Sequence, residues 1–275
     1  MDTMPHEPHH PDEAPHTPTS APLTEWALPS GGALFKEAWR RYGERLWVLV
    51  GIEAIPYVAF IAALALFSGG GLLAIFGGQK AGIDLGTITA GGIVAGTILI
   101  LGAVYFFTWT SVAIVRAVAE PEHPDILRAY RQSHNMVFSY LWVSMLAGLA
   151  IFGGILLLVV PGMLLALRYS QISFTVALEE RRGRDALRQS TIYVKGRMSA
   201  VAWRLFYLLG VTVLAHIGIS ILGSALRHTI GGNPETVLTN LFTIAWSPLI
   251  ICYSWVLYKH LKHSSAEHHS ANPSP

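Results

Sequence analysis

Residues 161–197 read PGMLLALRYSQISFTVALEERRGRDALRQSTIYVKGR, and this stretch decides the fold. Its first part, as far as Leu178, is an apolar helix with one charged residue, Arg168. Its second part, from Glu179, is basic and has apolar residues at helical spacing. An apolar helix that leads into a basic amphipathic one is typical of a membrane span reaching the membrane surface. The stretch therefore predicts an integral membrane protein.

The composition of the whole chain supports this class. Apolar residue types make up 52% of the 275 residues and charged types only 13%, which is too few for an ordinary soluble surface. Continuous apolar runs without the alternation of β-strands favour transmembrane helices over a β-barrel. We expect an all-α protein with six transmembrane helices, close to residues 46–67, 91–115, 137–160, 163–178, 200–222 and 237–258.

The two ends of the chain differ from its middle. Residues 1–29 are rich in histidine and proline and predict a disordered cytoplasmic tail; residues 30–262 form the membrane domain and residues 263–275 a second tail. The tail histidines lack the fixed spacing of structural zinc sites, so we expect neither a metal nor a cofactor. No cleavable signal peptide is visible, which leaves the first span as the targeting signal.

The distribution of Lys and Arg predicts the orientation. Of 19 such residues, only Lys80 and Arg227 fall in the loops on one side, and Arg168 and Arg204 fall within spans. The remaining fifteen lie in the termini and in the two long polar loops. The positive-inside rule then places both termini of this multi-pass plasma-membrane protein in the cytoplasm.

A weak internal repeat suggests three similar units. Residues 129–133 read AYRQS and residues 186–190 read ALRQS, while Ala33 to Gly43 aligns with Ala186 to Gly196 without a gap. Each unit would comprise a cytoplasmic amphipathic interfacial helix followed by two spans, starting near residues 33, 129 and 186. A basic amphipathic helix is common wherever a chain enters a membrane, so this pattern also has a simpler explanation.

Three ionisable residues within the predicted spans are candidates for a binding site. Arg168 should be buried in the bundle and paired with Glu53 or with His216, because an arginine in the bilayer core is costly. Such a group either binds an anionic head group or solute, or forms a structural ion pair. Arg204, one turn from the membrane edge, is expected to extend its charge to the surface.

The basic segment after Glu179 is a candidate surface for anionic lipid, at about 1 kcal/mol for each basic residue near the membrane. Its members are Arg181, Arg182, Arg184, Arg188, Lys195 and Arg197. The positive-inside rule also accounts for these charges. They therefore give no reason to expect a nucleic-acid partner. No motif of a hydrolase, metalloprotease or nucleotide-binding loop occurs, and we expect no enzymatic activity.

The central stretch resembles a bacterial membrane superfamily. The motif residues are Pro161, Gly162, Arg168, Glu179, Ser190 and Gly196. The superfamily includes the membrane domain found ahead of some glycerophosphoryl diester phosphodiesterases, and the uncharacterised YciC-like integral membrane proteins. The resemblance implies a membrane domain of the bacterial inner membrane, without a settled activity of its own. The phosphodiesterase activity belongs to a separate catalytic domain, which would need a further soluble region.

These observations predict a non-catalytic scaffold or accessory module that engages anionic lipid, a membrane protein partner or a second copy of itself. A second hypothesis is a transporter or permease for a small solute, with a polar site around Arg168. A third is an accessory to a phosphodiesterase that acts in trans.

Overall fold

A computed structural model describes residues 28–80, 85–120, 125–230 and 233–271, and all regular structure within them is helical. The prediction of an all-α protein is confirmed. The helices are α1 (Gly31–Lys80), α2 (Leu85–Ala119), α3 (Ile126–Ser133), α4 (Val137–Leu157), α5 (Val159–Arg168), α6 (Ile172–Glu179), α7 (Gly183–Val194), α8 (Met198–Ile230) and α9 (Pro234–Ala271). A 3-10 turn, His134–Met136, joins α3 to α4.

Five segments of the described chain are helices long and apolar enough to cross a membrane. They are Gly31–Gly71, Gly86–Ala119, Ile126–Leu157, Met198–Arg227 and Pro234–Ser265. The predicted fourth span, residues 163–178, is not one helix. It is divided between α5, of 10 residues, and α6, of 8 residues, by a break at Tyr169–Gln171. The structure therefore gives five long helices where the sequence predicted six spans.

The reversal between α4 and α5 comes earlier than the Pro161–Gly162 turn expected from the sequence. Leu158 has extended backbone angles (φ −166°, ψ 144°) and alone separates the two helices. Pro161 then lies in the first turn of α5, where a missing N–H breaks no helical hydrogen bond. Gly162 lies against α4: a Cβ there would come within 2.7 Å of the Ile155 nitrogen and 2.9 Å of its Cα. The hairpin requires glycine because the two backbones touch.

One end of the bundle gathers most of the polar contacts, and we call it the basic end. Here the start of α1 meets the end of α9 through Glu37 and His260, whose Oε2 and Nε2 atoms lie 3.6 Å apart. The end of α2 meets the end of α6 where Arg116 donates to the Ala177 carbonyl oxygen at 3.1 Å. The beginning of α1 and the late part of α9 therefore lie at the same end.

Two other segments differ from their predicted boundaries. The glycine-rich connection expected between the first two spans is largely helical, since α1 continues to Lys80 and α2 begins at Leu85. The tail expected from residue 263 is helical as far as Ala271. Glycine is tolerated in apolar helices of this kind because the helical hydrogen bonds persist. The predicted N-terminal tail lies outside the described residues except for positions 28 and 29.

The three predicted interfacial helices have different forms. Those near residues 129 and 186 are the short helices α3 and α7, whereas residues 31–45 are the beginning of the long helix α1. Ala129 and Ser133 of α3 are buried, and so are the matching Ala186 and Ser190 of α7. Burial of the same face follows from the shared spacing of small residues, so the triplication stays a prediction.

A proline within α1 is accommodated by a tyrosine from α3. Pro56 has no N–H, which leaves the carbonyl oxygen of Ile52 without its usual helical donor. The Tyr130 hydroxyl donates to this oxygen at 3.0 Å and also lies 2.9 Å from Thr110 Oγ1 of α2. Backbone groups in an apolar surrounding need such partners. Tyr130 thus links α1, α2 and α3 close to Pro56.

Candidate functional site

The carboxylate of Glu179, at the end of α6, is the centre of the polar cluster at the basic end. Its Oε1 accepts hydrogen bonds from the hydroxyls of Tyr193 in α7 at 2.5 Å and Tyr258 in α9 at 2.6 Å. Lys262 Nζ lies 2.9 Å from the same oxygen, and Arg181 Nε lies 3.8 Å from Oε2. The Glu179 side chain is only 11% exposed. One carboxylate therefore connects α6, α7 and α9.

The electrostatics of the cluster favour a charged Glu179. Burial raises the pKa of the Glu179 carboxyl, but hydrogen bonds from Tyr193, Tyr258 and Lys262 outweigh burial, and the pKa is lowered overall. Burial raises the pKa of the Tyr193 hydroxyl, and its hydrogen bond to Glu179 adds to this. At neutral pH the cluster is thus an anionic carboxylate held by two neutral phenols and a lysine.

Helix α7 is held by this cluster with its basic face turned outward. Its buried side chains are Ala186, Ser190, Tyr193 and Val194, which recur at helical spacing. Of the basic residues predicted to contact lipid, Arg181, Arg182, Arg184, Arg188 and Lys195 are exposed. Arg197 is half-buried, and its guanidinium donates to Ser264 Oγ of α9. Five of the six predicted basic residues are therefore exposed on α7 or next to its ends, and Arg197 instead contacts α9.

Other arginines at the basic end donate to backbone carbonyls at the ends of helices. Arg41 and Arg45 of α1 reach the end of α2, where Arg41 Nε lies 2.8 Å from the Val118 oxygen and Arg45 Nη1 lies 3.0 Å from the Ala117 oxygen. The last carbonyls of a helix have no helical donor and carry partial negative charge, so a guanidinium stabilises them. This role was not predicted from the sequence.

Arg204 also differs from its prediction, because it is buried and does not extend to the surface. Its Nε donates to the Pro29 carbonyl oxygen at 2.8 Å, and its Nη2 donates to the Leu28 carbonyl. These contacts fix the segment just before α1 against α8. The carbonyls of an irregular segment provide partners that the expectation of a snorkelling side chain did not consider.

Arg168 is not where the sequence placed it. It is the last residue of α5, its side chain is exposed, and its carbonyl oxygen accepts from Ser190 Oγ of α7 at 2.8 Å. Within the described chain it forms no ion pair with Glu53 or with His216. The expectation of a buried and paired Arg168 is therefore wrong, because the break after α5 leaves this residue at the surface beside α7.

The other two candidate residues lie against one segment of α9. Glu53 Oε1 accepts from Ser247 Oγ at 3.0 Å. On α8, His216 has its ring 4.9 Å from that of Phe242, edge to face, and its Nδ1 lies 2.9 Å from the Thr212 carbonyl oxygen. The structure thus places Glu53 and His216 beside residues 242–247 of α9, apart from Arg168.

One motif residue and two other residues lie at turns or in the core. Gly196, in the link from α7 to α8, has a φ of 81°, a left-handed conformation that favours glycine. Gln171, in the break between α5 and α6, is fully buried, and its Oε1 has no hydrogen-bond partner in the described part of the chain. Cys252 is buried in the main core.

Among the described residues no group of three or more His, Cys, Asp or Glu side chains could hold a metal ion. The histidines of residues 1–27 lie outside the described residues. The functional residues that sequence reasoning missed are Tyr193, Tyr258 and Lys262 around Glu179. Their signal is weak: Tyr258 and Lys262 are one turn apart at the end of the last apolar run.

No family model, curated protein or solved structure matches this chain. The resemblance to the phosphodiesterase membrane domain and the YciC-like proteins therefore stays a prediction.

Proposed function

We propose that this chain is a non-catalytic integral membrane protein that binds anionic lipid head groups with the outer face of α7. The observation that carries the proposal is the arrangement of α7, which buries its small and aromatic side chains and exposes Arg184 and Arg188. The Glu179 cluster holds one end of this helix, so the exposed guanidinium groups belong to a fixed surface. A fixed cationic surface loses less conformational entropy on binding than a mobile one.

Exposed aromatic residues support a membrane surface at this end of the molecule. Trp47, Trp142 and Trp203 are 85%, 52% and 73% exposed, and each lies near the start of one of the spans predicted from the sequence. Tryptophan is enriched at the boundary between lipid and water. Each comes after one of the three basic stretches in the sequence, which is the order expected when the basic face meets head groups.

The proposed orientation has the basic end and both termini in the cytoplasm of a bacterial cell. Glu179 contacts Lys262 near the end of α9, so the chain from α4 through α5 and α6 begins and ends at the basic end. The pair α5–α6 would then provide a return crossing although neither helix is long. The excess of basic residues at this end supports a cytoplasmic location.

The proposal is tested with purified protein in neutral detergent titrated with phosphatidylglycerol or with phosphatidylcholine. Native mass spectrometry counts bound lipid, and thermal unfolding measures the stabilisation. Replacing Arg184 and Arg188 by Gln removes two charges worth about 1 kcal/mol each, so phosphatidylglycerol should bind about 30-fold more weakly. Binding of phosphatidylcholine should not change.

A matched control removes two equally exposed charges elsewhere. Lys36 and Arg40 lie on exposed positions of α1, and the double replacement by Gln gives the same net charge. If this control weakens phosphatidylglycerol binding as much as the α7 variant, then net charge alone attracts the lipid and the specific surface is refuted. Equal binding of the two lipids by the wild type would refute the proposal altogether.

The transporter hypothesis is supported in part by Glu53 and His216, which flank the same segment of α9. Its anion-binding group does not join them, because Arg168 is exposed beside α7. We therefore propose that Arg168 belongs to the lipid surface. A solute that stabilises wild-type protein but not Arg168→Gln would favour the transporter.

A further inference from the structure

Glu53 is an acidic side chain within the apolar part of α1. It lies six residues beyond the exposed Trp47, about 9 Å along the helix axis, and within the first candidate span. Its side chain is half-buried, so it is accessible from the surrounding medium. An ionisable residue at such a position is costly unless it is neutral or paired.

The groups around Glu53 provide hydrogen bonds but no positive charge. Ser247 of α9 donates to Oε1 at 3.0 Å. Tyr57 in α1 and Tyr130 in α3 lie close enough to interact electrostatically with Glu53, and both phenols are weak acids. His216 of α8 lies beside the same segment of α9, but its ring contacts Phe242 and its Nδ1 lies 2.9 Å from the Thr212 carbonyl oxygen. In the ranges that the structure describes, Glu53 forms no ion pair with a Lys, Arg or His side chain.

Two prolines lie close to Glu53 and Ser247 in the sequence. Pro56 follows Glu53 by three residues in α1, and Pro248 follows Ser247 directly in α9. Each proline lacks an N–H and frees one carbonyl of its own helix. Tyr130 supplies a donor to the Ile52 carbonyl in α1. In the described part of the chain, the contacts around Glu53 where α1 meets α9 are therefore hydroxyl–oxygen hydrogen bonds without a cation, and such surroundings favour a carboxyl group that keeps its own proton.

We propose that Glu53 is a proton-binding site within the membrane, where the neutral acid accepts a hydrogen bond from Ser247. This inference goes beyond the lipid-binding function and does not depend on it. A neutral carboxylic acid in hydrocarbon reacts with a hydrophobic carbodiimide. The acid proton moves to a carbodiimide nitrogen as the carboxyl oxygen bonds to the central carbon, and the acyl group then shifts to nitrogen to give a stable N-acylurea.

The test uses the full chain in liposomes, treated with dicyclohexylcarbodiimide between about pH 6 and about pH 9, well above the ordinary carboxyl pKa of about 4.3. Peptide mass spectrometry should find the mass of one carbodiimide on the peptide with Glu53 near neutral pH, and labelling should decline as the pH rises. Glu53→Gln should abolish it. Ser247→Ala, which removes a donor that favours the anion, should extend labelling to higher pH.

Glu235 is an internal control in the same molecule. It lies in the first turn of α9, and its carboxylate accepts from Ser220 Oγ at 2.7 Å. It should remain unlabelled near neutral pH. Absence of labelling at Glu53 at every pH, or equal labelling of Glu235, would overturn the proposal. Protection by sodium but not by choline would also overturn it, because Glu53 would then bind a metal cation. Glu53→Gln is isosteric, and its thermal unfolding verifies that the variant is folded.

Discussion

Replacing Glu179 by Gln should destabilise the protein by about 2–3 kcal/mol at neutral pH. A hydrogen bond to a charged acceptor contributes about 1.5–3 kcal/mol and one to a neutral acceptor about 0.5–1.5 kcal/mol, so each buried tyrosine hydroxyl loses about 1 kcal/mol. Tyr193 and Tyr258 both donate to this carboxylate. Lys262 is 52% exposed, so its ion pair adds only a few tenths of a kcal/mol.

The assay is unfolding by a denaturing detergent titrated into mixed micelles, followed by tryptophan fluorescence. Glu180→Gln is the matched control. Glu180 is the next residue, but its side chain is 68% exposed and its one ion pair, with Arg116, should contribute less than about 1 kcal/mol. The adjacent positions differ in burial and in partners, so a difference between the two variants reports the cluster.

The pH dependence gives a second, independent criterion. The pKa of Glu179 is lowered in the folded protein, chiefly because the hydrogen bonds from Tyr193, Tyr258 and Lys262 outweigh the effect of burial. Ionised Glu179 therefore contributes to the stability of the fold above the pKa of the unfolded state, about 4.3. This contribution is lost as the pH falls through the lower pKa of the folded state. Wild type and Glu179→Gln should converge in acid. Equal stability at neutral pH, or a gap that persists unchanged in acid, would refute this account of the cluster.

Three further sites provide tests of the fold. Tyr130→Phe leaves the Ile52 carbonyl without a donor and should cost about 1–3 kcal/mol in the same unfolding assay, and Pro56→Ala should reduce that cost by restoring the helical N–H. Gly162→Ala places a Cβ 2.7 Å from the Ile155 nitrogen and should cost about 1–3 kcal/mol, whereas Gly148→Ala, with no neighbour within 4 Å, should be tolerated. Arg116→Lys should cost about 1–2 kcal/mol, because one ammonium cannot replace the guanidinium that donates to both Ala177 and Gln132; equal melting temperatures would contradict this.

The helical class and the basic helix α7 could be predicted because each depends on local pattern. Apolar runs give the long helices, and the spacing of Ala186, Ser190 and Val194 gives the buried face of α7. The positive charge of the outer face of α7 follows directly from Arg184 and Arg188. These features need no knowledge of which helices are neighbours.

The break between α5 and α6 was missed because it depends on packing. No proline or glycine occurs at Tyr169, Ser170 or Gln171, and the only local signal is that these three polar residues follow Arg168 and interrupt the apolar run. The helix nevertheless ends at Arg168, whose carbonyl accepts from Ser190 of α7 instead of continuing the helical pattern. The consequence is large: Arg168 lies exposed beside α7, and its expected pairing with Glu53 does not form.

Basic residues at this end of the molecule have two separable physical roles, and a count of charges does not distinguish them. Arg41 donates to the carbonyls of Val118 and Glu120 and lies 4.0 Å above the Trp255 ring, so few of its donors remain for a phosphate group. Arg184 lies exposed on α7. Arg41→Gln should therefore lower stability with little effect on phosphatidylglycerol binding per folded molecule, and Arg184→Gln should do the reverse. Both substitutions remove one positive charge from the end of the molecule that is proposed to be cytoplasmic. If the two variants lost lipid binding equally, the guanidinium groups that hold helix ends would also serve the lipid, and the division of roles would be wrong.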